Sequence, residues 1–212
     1  MTSPVNIPTD LVVNGGLRVT GSITPALAKS DILALAELQA FPIPLTSFRV
    51  WNDMAELLPS AGATDDLGLV EGTFGTATPS LRTEDLKSAG ATNNRARVLV
   101  HLPWEYVAAS SVKLRFKAGM ITTVADTTAT LDCEAFKLQD DPDDDIGSDL
   151  VSTAATTINS KTFADIDFTL STTGLSPGDI LDVRITTAVN DGAGSTAVIA
   201  GITSAKLLCD VR

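Results

Sequence analysis

The sequence predicts an all-β protein: a jelly-roll-like antiparallel β-sandwich behind an extended N-terminal arm, with at most one or two short helices. Three observations predict it. From residue 46 onward, segments alternate apolar and polar side chains with period two, as half-buried strands do. Turn-forming Gly, Pro and Asp separate those segments. The composition also suits strands, with 44% hydrophobic and 19% charged residues in a chain of 212, the opposite of a disordered balance. This length fits one sizeable β-domain.

The elements follow in chain order. Leu11-Val12-Val13-Asn14-Gly15-Gly16-Leu17-Arg18-Val19-Thr20-Gly21-Ser22-Ile23 reads as two short strands around an Asn-Gly turn, because both turn residues tolerate positive φ. One such pair is marginal alone and needs neighbours, from its own domain or from other copies of the chain. Residues 26–40 are rich in Ala and Leu, and Ser30 or Asp31 would cap a short helix there. Phe41-Pro42-Ile43-Pro44-Leu45 then stops the helix and reads as an extended linker. The expected division is an arm over 1–45 and a sandwich over 46–212.

Within the sandwich, Phe48-Arg49-Val50-Trp51 opens the first strand, and residues 52–58 read as one helical turn before Pro59. Leu67-Gly68-Leu69-Val70 and Thr73-Phe74 follow as strands. Residues 95–102, 112–120 and 128–138 are the clearest strands, with Val112, Leu114 and Phe116 inward and Lys113, Arg115 and Lys117 outward. Leu131, Cys133 and Ala135 oppose Asp132, Glu134 and Phe136 in the same manner. Residues 163–170, 180–186 and 196–211 complete roughly eight strands, the number expected of a sandwich or jelly roll. Ser176-Pro177-Gly178-Asp179 forms a type II turn, with Gly178 supplying the positive φ. No internal repeat is visible.

Charge narrows the partners. A net charge of -11 with no basic cluster argues against nucleic acid and against anionic membrane surfaces. No apolar run approaches the about 20 residues of a membrane helix. The opening Met1-Thr2-Ser3-Pro4-Val5-Asn6 lacks the basic and apolar regions of a signal peptide, so synthesis in a cytoplasm without export by that route is expected. Cys133 and Cys209 alternate with apolar neighbours, and two small buried hydrophobes are favoured over a disulfide.

Chemistry-bearing patterns are few, and no catalytic residue and no cofactor are expected. His101 is the one histidine, sits in a strand, and has no Gly-x-Ser-x-Gly elbow to serve. One histidine and two scattered cysteines make no zinc set. The run Asp140-Asp141-Pro142-Asp143-Asp144-Asp145 is dense in carboxylates, which makes Asp141, Asp143 and Asp145 calcium candidates on charge density alone. The EF-hand register fails, and a solvated turn is the simpler reading. Aromatics are 5% of the chain, and Trp51, Trp104 and Tyr106 are the candidates for stacking on a sugar. A hydrophobic plug or subunit contact is the alternative for them.

Two stretches resemble known proteins. Leu11-Val12-Val13-Asn14-Gly15-Gly16-Leu17-Arg18-Val19-Thr20-Gly21 resembles the L-x-V-x-G-x-L-x-V-x-G segments of phage fibre and appendage proteins, where they assemble as intertwined strands of a trimer. Residues 175–185, L-S-P-G-D-x-L-x-V-R-I, with Val189-Asn190-Asp191 and the apolar residues 197–208, are similar to the C-terminal strands of jelly-roll domains in phage structural proteins. The resemblance implies a non-enzymatic virion component of a tailed phage, either a head-decoration (cement) protein or a short head fibre. It implies a homo-oligomer, in trimeric form, and contact with the major capsid protein or another virion protein. Leu11, Val13, Leu17, Val19 and Ile23 would make the partner contacts. A single Gly-Gly unit favours a compact protein over an extended shaft. The alternative expectation is a carbohydrate-binding, host-adhesion module of a phage appendage.

Overall fold

The longest alternating runs of the sequence become the long strands of the fold. The computed structural model describes residues 38–192 and 196–211, and Leu38 opens a compact unit that runs to Arg212. The short strands before the sandwich centre are β1 (Gln39–Ile43), β2 (Arg49–Val50), β3 (Asp53–Leu57), β4 (Gly68–Val70) and β5 (Ser80–Arg82). The long ones are β6 (Gly90–His101), β7 (Val112–Met120) and β8 (Thr128–Lys137). The remainder are β9 (Thr156–Thr157), β10 (Ala164–Thr169), β11 (Ile180–Asp191) and β12 (Ala200–Cys209). A 3₁₀ turn over Leu45–Ser47 separates β1 from β2.

Two six-stranded sheets face each other. One has the order β10-β7-β12-β5-β4 with β1 also on β12; the other has the order β3-β2-β6-β11-β8-β9. The named ladders are antiparallel. From β6 to β8, and again from β10 to β12, each successive long strand crosses to the opposite sheet. That crossing defines a sandwich of jelly-roll type.

The alternation of each strand decides which side chains enter the core. Val112, Leu114 and Phe116 are fully buried, as are Leu181, Val183 and Ile185 of β11 and Leu131 and Ala135 of β8. Phe116 and Phe168 meet edge to face, with centroids 6.0 Å apart, the favoured arrangement of two ring quadrupoles. Cys133 and Cys209 are free and buried. Burial pushes both thiols above their ordinary range, Cys209 to about 11.

Four local expectations change. Residues 52–58 form no helical turn: β3 pairs with β2, Leu57 opposite Arg49, because so short a segment cannot hold a helix without packing. Thr73 and Phe74 form a turn in which Thr76 and Ala77 both donate to the Thr73 carbonyl. The left-handed Gly72 and Gly75 on either side turn the chain away from pairing. Residues 41–43 are extended as expected but belong to the sheet, with Phe41 opposite Leu207 and Pro42 opposite Lys206. Pro42 is tolerated there because β1 is bonded along one side only. Residues 39–40 are strand and Leu38 is not helical, while residues 26–37 of the expected helix lie outside the described residues.

Candidate functional site

The outward face of the β11 sheet gathers the unusual side chains. β11 lies between β6 and β8, so its outward residues form cross-strand rows. Asp182 sits between Leu99 and Phe136, Arg184 between Arg97 and Glu134, and Thr186 between Arg95 and Asp132. One ion pair lies within a row and another joins two neighbouring rows. Arg97 forks onto Asp182, with Nε donating to Oδ1 at 2.7 Å and the second guanidinium nitrogen donating to Oδ2. Arg184 Nε donates to Glu134 Oε2 at 2.5 Å. The Arg97–Asp182 hydrogen bond holds the guanidinium pKa above its ordinary value.

Trp51 overhangs this pattern from the β2–β3 turn. The Arg95 guanidinium lies 5.1 Å from its ring centroid and that of Arg184 lies 5.5 Å away, within cation–π range. Trp51, Phe136 and Ile146 line a cleft of about 260 Å³ together with Arg97, Asp182 and Arg184. The shelf therefore offers apolar faces and charged hydrogen-bonding groups at once.

Trp104 occupies the end of the same sheet, where β6 leaves and β11 enters. Leu102 and Gly178 hold that junction: Leu102 N–H donates to Asp179 O and Gly178 N–H donates to Leu102 O. The indole is 81% exposed yet rests on Gly178, where an added Cβ would come within 2.7 Å of a ring carbon. Gly178 also has φ +83, as the type II turn requires. The Ser176–Asp179 bond at 3.2 Å closes that turn. Beside it, a cleft of about 290 Å³ is lined by Lys137, Gln139, Asp140, Asp179 and Ile180 among others. Lys137 Nζ is fixed there by Asp179 Oδ2 at 2.9 Å and Gly174 O at 3.0 Å.

The three aromatic candidates thus have different fates. Trp104 and Trp51 both reach solvent, but they are not brought together: Ile180, where β11 leaves the turn under Trp104, and Arg184, beside Trp51, are about 13 Å apart by strand rise. Tyr106 is 3% exposed, and its hydroxyl donates to Ser110 O at 3.0 Å. Its ring belongs to the core and cannot stack on a ligand, which corrects the expectation for that residue. Burial pushes its hydroxyl pKa up.

The remaining candidates are placed as follows. Asp141, Asp143 and Asp145 stand on an exposed loop. Asp141 Oδ1 accepts from the Asp143 N–H and Asp145 Oδ1 from the Gly147 N–H, both at 3.0 Å. These carboxylates fold their own turns, and among the described residues no three His, Cys, Asp or Glu side chains group to hold a metal ion. His101 is exposed at the end of β6, opposite Ile180. Leu11, Val13, Leu17, Val19 and Ile23 lie outside the described residues. Sequence reasoning missed Arg95, Arg184, Phe136 and Ile146 as site residues. Their signal was partial: Arg95 and Arg97 are clearly outward, but which strand faces them is a tertiary fact.

No protein-family model matches the chain, and no curated protein matches it in sequence. Among solved structures, it is similar to the CBM22-1 xylan-binding domain from Paenibacillus barcinonensis Xyn10C, at 12% identity over 78% of this chain and 94% of that one, with a TM-score of 0.40. It is similar to the family 30 carbohydrate-binding module of a cellulosomal cellulase from Clostridium thermocellum, at 9% identity over 82% and 92%, with a TM-score of 0.35. A structure of infectious bursal disease virus, Gx strain, aligns at 10% identity over 67% of this chain and 36% of that one, with a TM-score of 0.28. Likeness at this level says nothing about a ligand. The class is fixed by the fold itself: an antiparallel β-sandwich of jelly-roll type.

Proposed function

We propose that this protein is a non-catalytic glycan-binding module used for adhesion, and that it binds through the Trp104 end and outward face of the β11 sheet. The observation that carries the reading is the indole of Trp104, 81% exposed and seated against Gly178. A large aromatic surface held in water has no role in the core, and a pyranose ring presents a matching apolar face. The adjoining cleft supplies Lys137, Gln139, Asp140 and Asp179, the donors and acceptors that hydroxyl groups need. The reading rests on this geometry and not on the structural likenesses.

The test is a glycan array on the intact chain, followed by titration of each hit against Trp104→Ala. Hits whose affinity falls about ten-fold or more in the variant support the reading. An array without hits sinks it.

The carrier of the module is proposed from the sequence alone. The segment Leu11-Val12-Val13-Asn14-Gly15-Gly16-Leu17 resembles phage appendage proteins, so we place the module on a phage virion, oligomerised through its arm. Capsid cementing by the same arm is the second reading. Co-sedimentation with purified capsids, with and without residues 1–37, separates the two.

A further inference from the structure

Resting on the glycan-binding reading, we propose that the Trp51 shelf takes an acidic sugar, with the sugar carboxylate received by Arg95. Three guanidinium groups crowd this part of the face: Arg95, Arg97 and Arg184. Two are already neutralised, Arg97 by Asp182 and Arg184 by Glu134. Arg95 forms no ion pair and no side-chain hydrogen bond among the described residues; its guanidinium is held by Trp51 alone, 5.1 Å from the ring centroid. Stacking on an indole leaves the in-plane N–H fork of an arginine free, and that fork matches a carboxylate with two parallel hydrogen bonds.

Carboxylates stand on both sides of this shelf. Asp132 lies across Thr186 from Arg95, and Asp65 and Asp66 belong to the loop whose backbone pairs with Arg95. The acidic loop carrying Asp140, Asp141, Asp143, Asp144 and Asp145 precedes Ile146, on the Phe136 side of the cleft. None of these carboxylates pairs with Arg95 among the described residues, so its fork stays open to a ligand carboxylate, with the pyranose in the adjoining cleft of Trp51 and Phe136. Because the surrounding field is acidic, in a chain of net charge -11, the preference comes from the two parallel hydrogen bonds of the Arg95 fork and not from long-range attraction.

Calorimetric titration of the full chain tests this with trigalacturonate, its methyl ester, sialyllactose and lactose. At least one carboxylated probe is expected to bind about ten-fold more tightly than its uncharged counterpart; the galacturonate and sialyl arms identify the source of the carboxylate. Arg95→Gln should remove that preference, and Arg95→Lys, which keeps the charge but not the fork, should restore part of it. Melting curves confirm that both variants fold. Equal affinity for charged and uncharged probes, or a preference that survives Arg95→Gln, overturns the proposal and leaves neutral glycan binding intact. Failure of every glycan to bind, acidic or neutral, overturns the underlying reading as well.

Discussion

Trp104 and Tyr106 are two residues apart, and one is bathed in solvent while the other is locked inside. The difference lies in what each polar tip can reach. The Tyr106 hydroxyl finds Ser110 O, so its burial costs no unsatisfied donor. Removing that hydroxyl in Tyr106→Phe should lower stability by about 1 kcal/mol, measured by urea unfolding, and leave glycan affinity unchanged. Trp104→Ala should do the reverse. Gly178 links the two behaviours. An alanine there meets both a left-handed φ of +83 and the Trp104 ring, so Gly178→Ala should cost about 1–2 kcal/mol from the backbone alone. It should also shift tryptophan fluorescence as the indole is displaced. An unaltered emission spectrum would show that the ring does not depend on this glycine.

At the scale of elements, β10 shows how an edge strand is held and guarded. Its outward residues Asp165 and Asp167 face Lys117 and Arg115 of β7. Arg115 forks onto Asp167, with bonds of 2.5 and 2.8 Å, and Lys113 stands 3.7 Å away. The Arg115 hydrogen bond holds the Asp167 carboxyl below the ordinary carboxylate range. A lowered folded-state pKa contributes stability that is complete above the unfolded value, about 3.9, and is lost as pH falls through the folded value. Asp167→Asn should therefore melt below the parent at pH 7, and the gap should close below about pH 4. The pair is partly solvated, so the gap is small. A difference that persists at pH 2 would assign the effect to packing and not to charge.

The same strands show what the sequence could reveal. β7 was readable over 112–120 because alternation is a local signal that no tertiary contact had to correct. β6 and β11 run further than their apolar patterns suggest, since Thr92, Asn94, Thr187 and Asp191 are buried polar residues. Asn94 illustrates why: its amide donates to Thr64 O and Asp66 O and its oxygen accepts from Glu84 N–H. Partners so distant in sequence cannot be inferred from the residue itself. The site divides the same way. Trp104 stood out by type and by its place after a strand end, whereas the Arg95–Trp51–Arg184 stack exists because β6, β11 and the β2–β3 turn converge.

For the whole molecule, the informative question is where the sandwich begins. The sequence alone places the boundary at residue 46, after the Pro42 and Pro44 stops. In the structure β1 continues the β12 edge from Gln39, pairing as far as Ile43 opposite Ala205, and Ile43 is buried in the core cluster. Chains beginning at residues 38 and 46 therefore differ by one paired strand. The shorter chain loses the burial of Ile43, about 1.5–3 kcal/mol, along with the β1–β12 hydrogen bonds. It also leaves Leu207 and Leu208 on a bare strand edge, which templates association between chains. The 46–212 fragment should unfold at lower urea than the 38–212 fragment, by at least about 2 kcal/mol, and should scatter light at concentrations where the longer fragment does not. Identical unfolding midpoints would mean that β1 is an ornament on the sheet, and the boundary would return to the prolines.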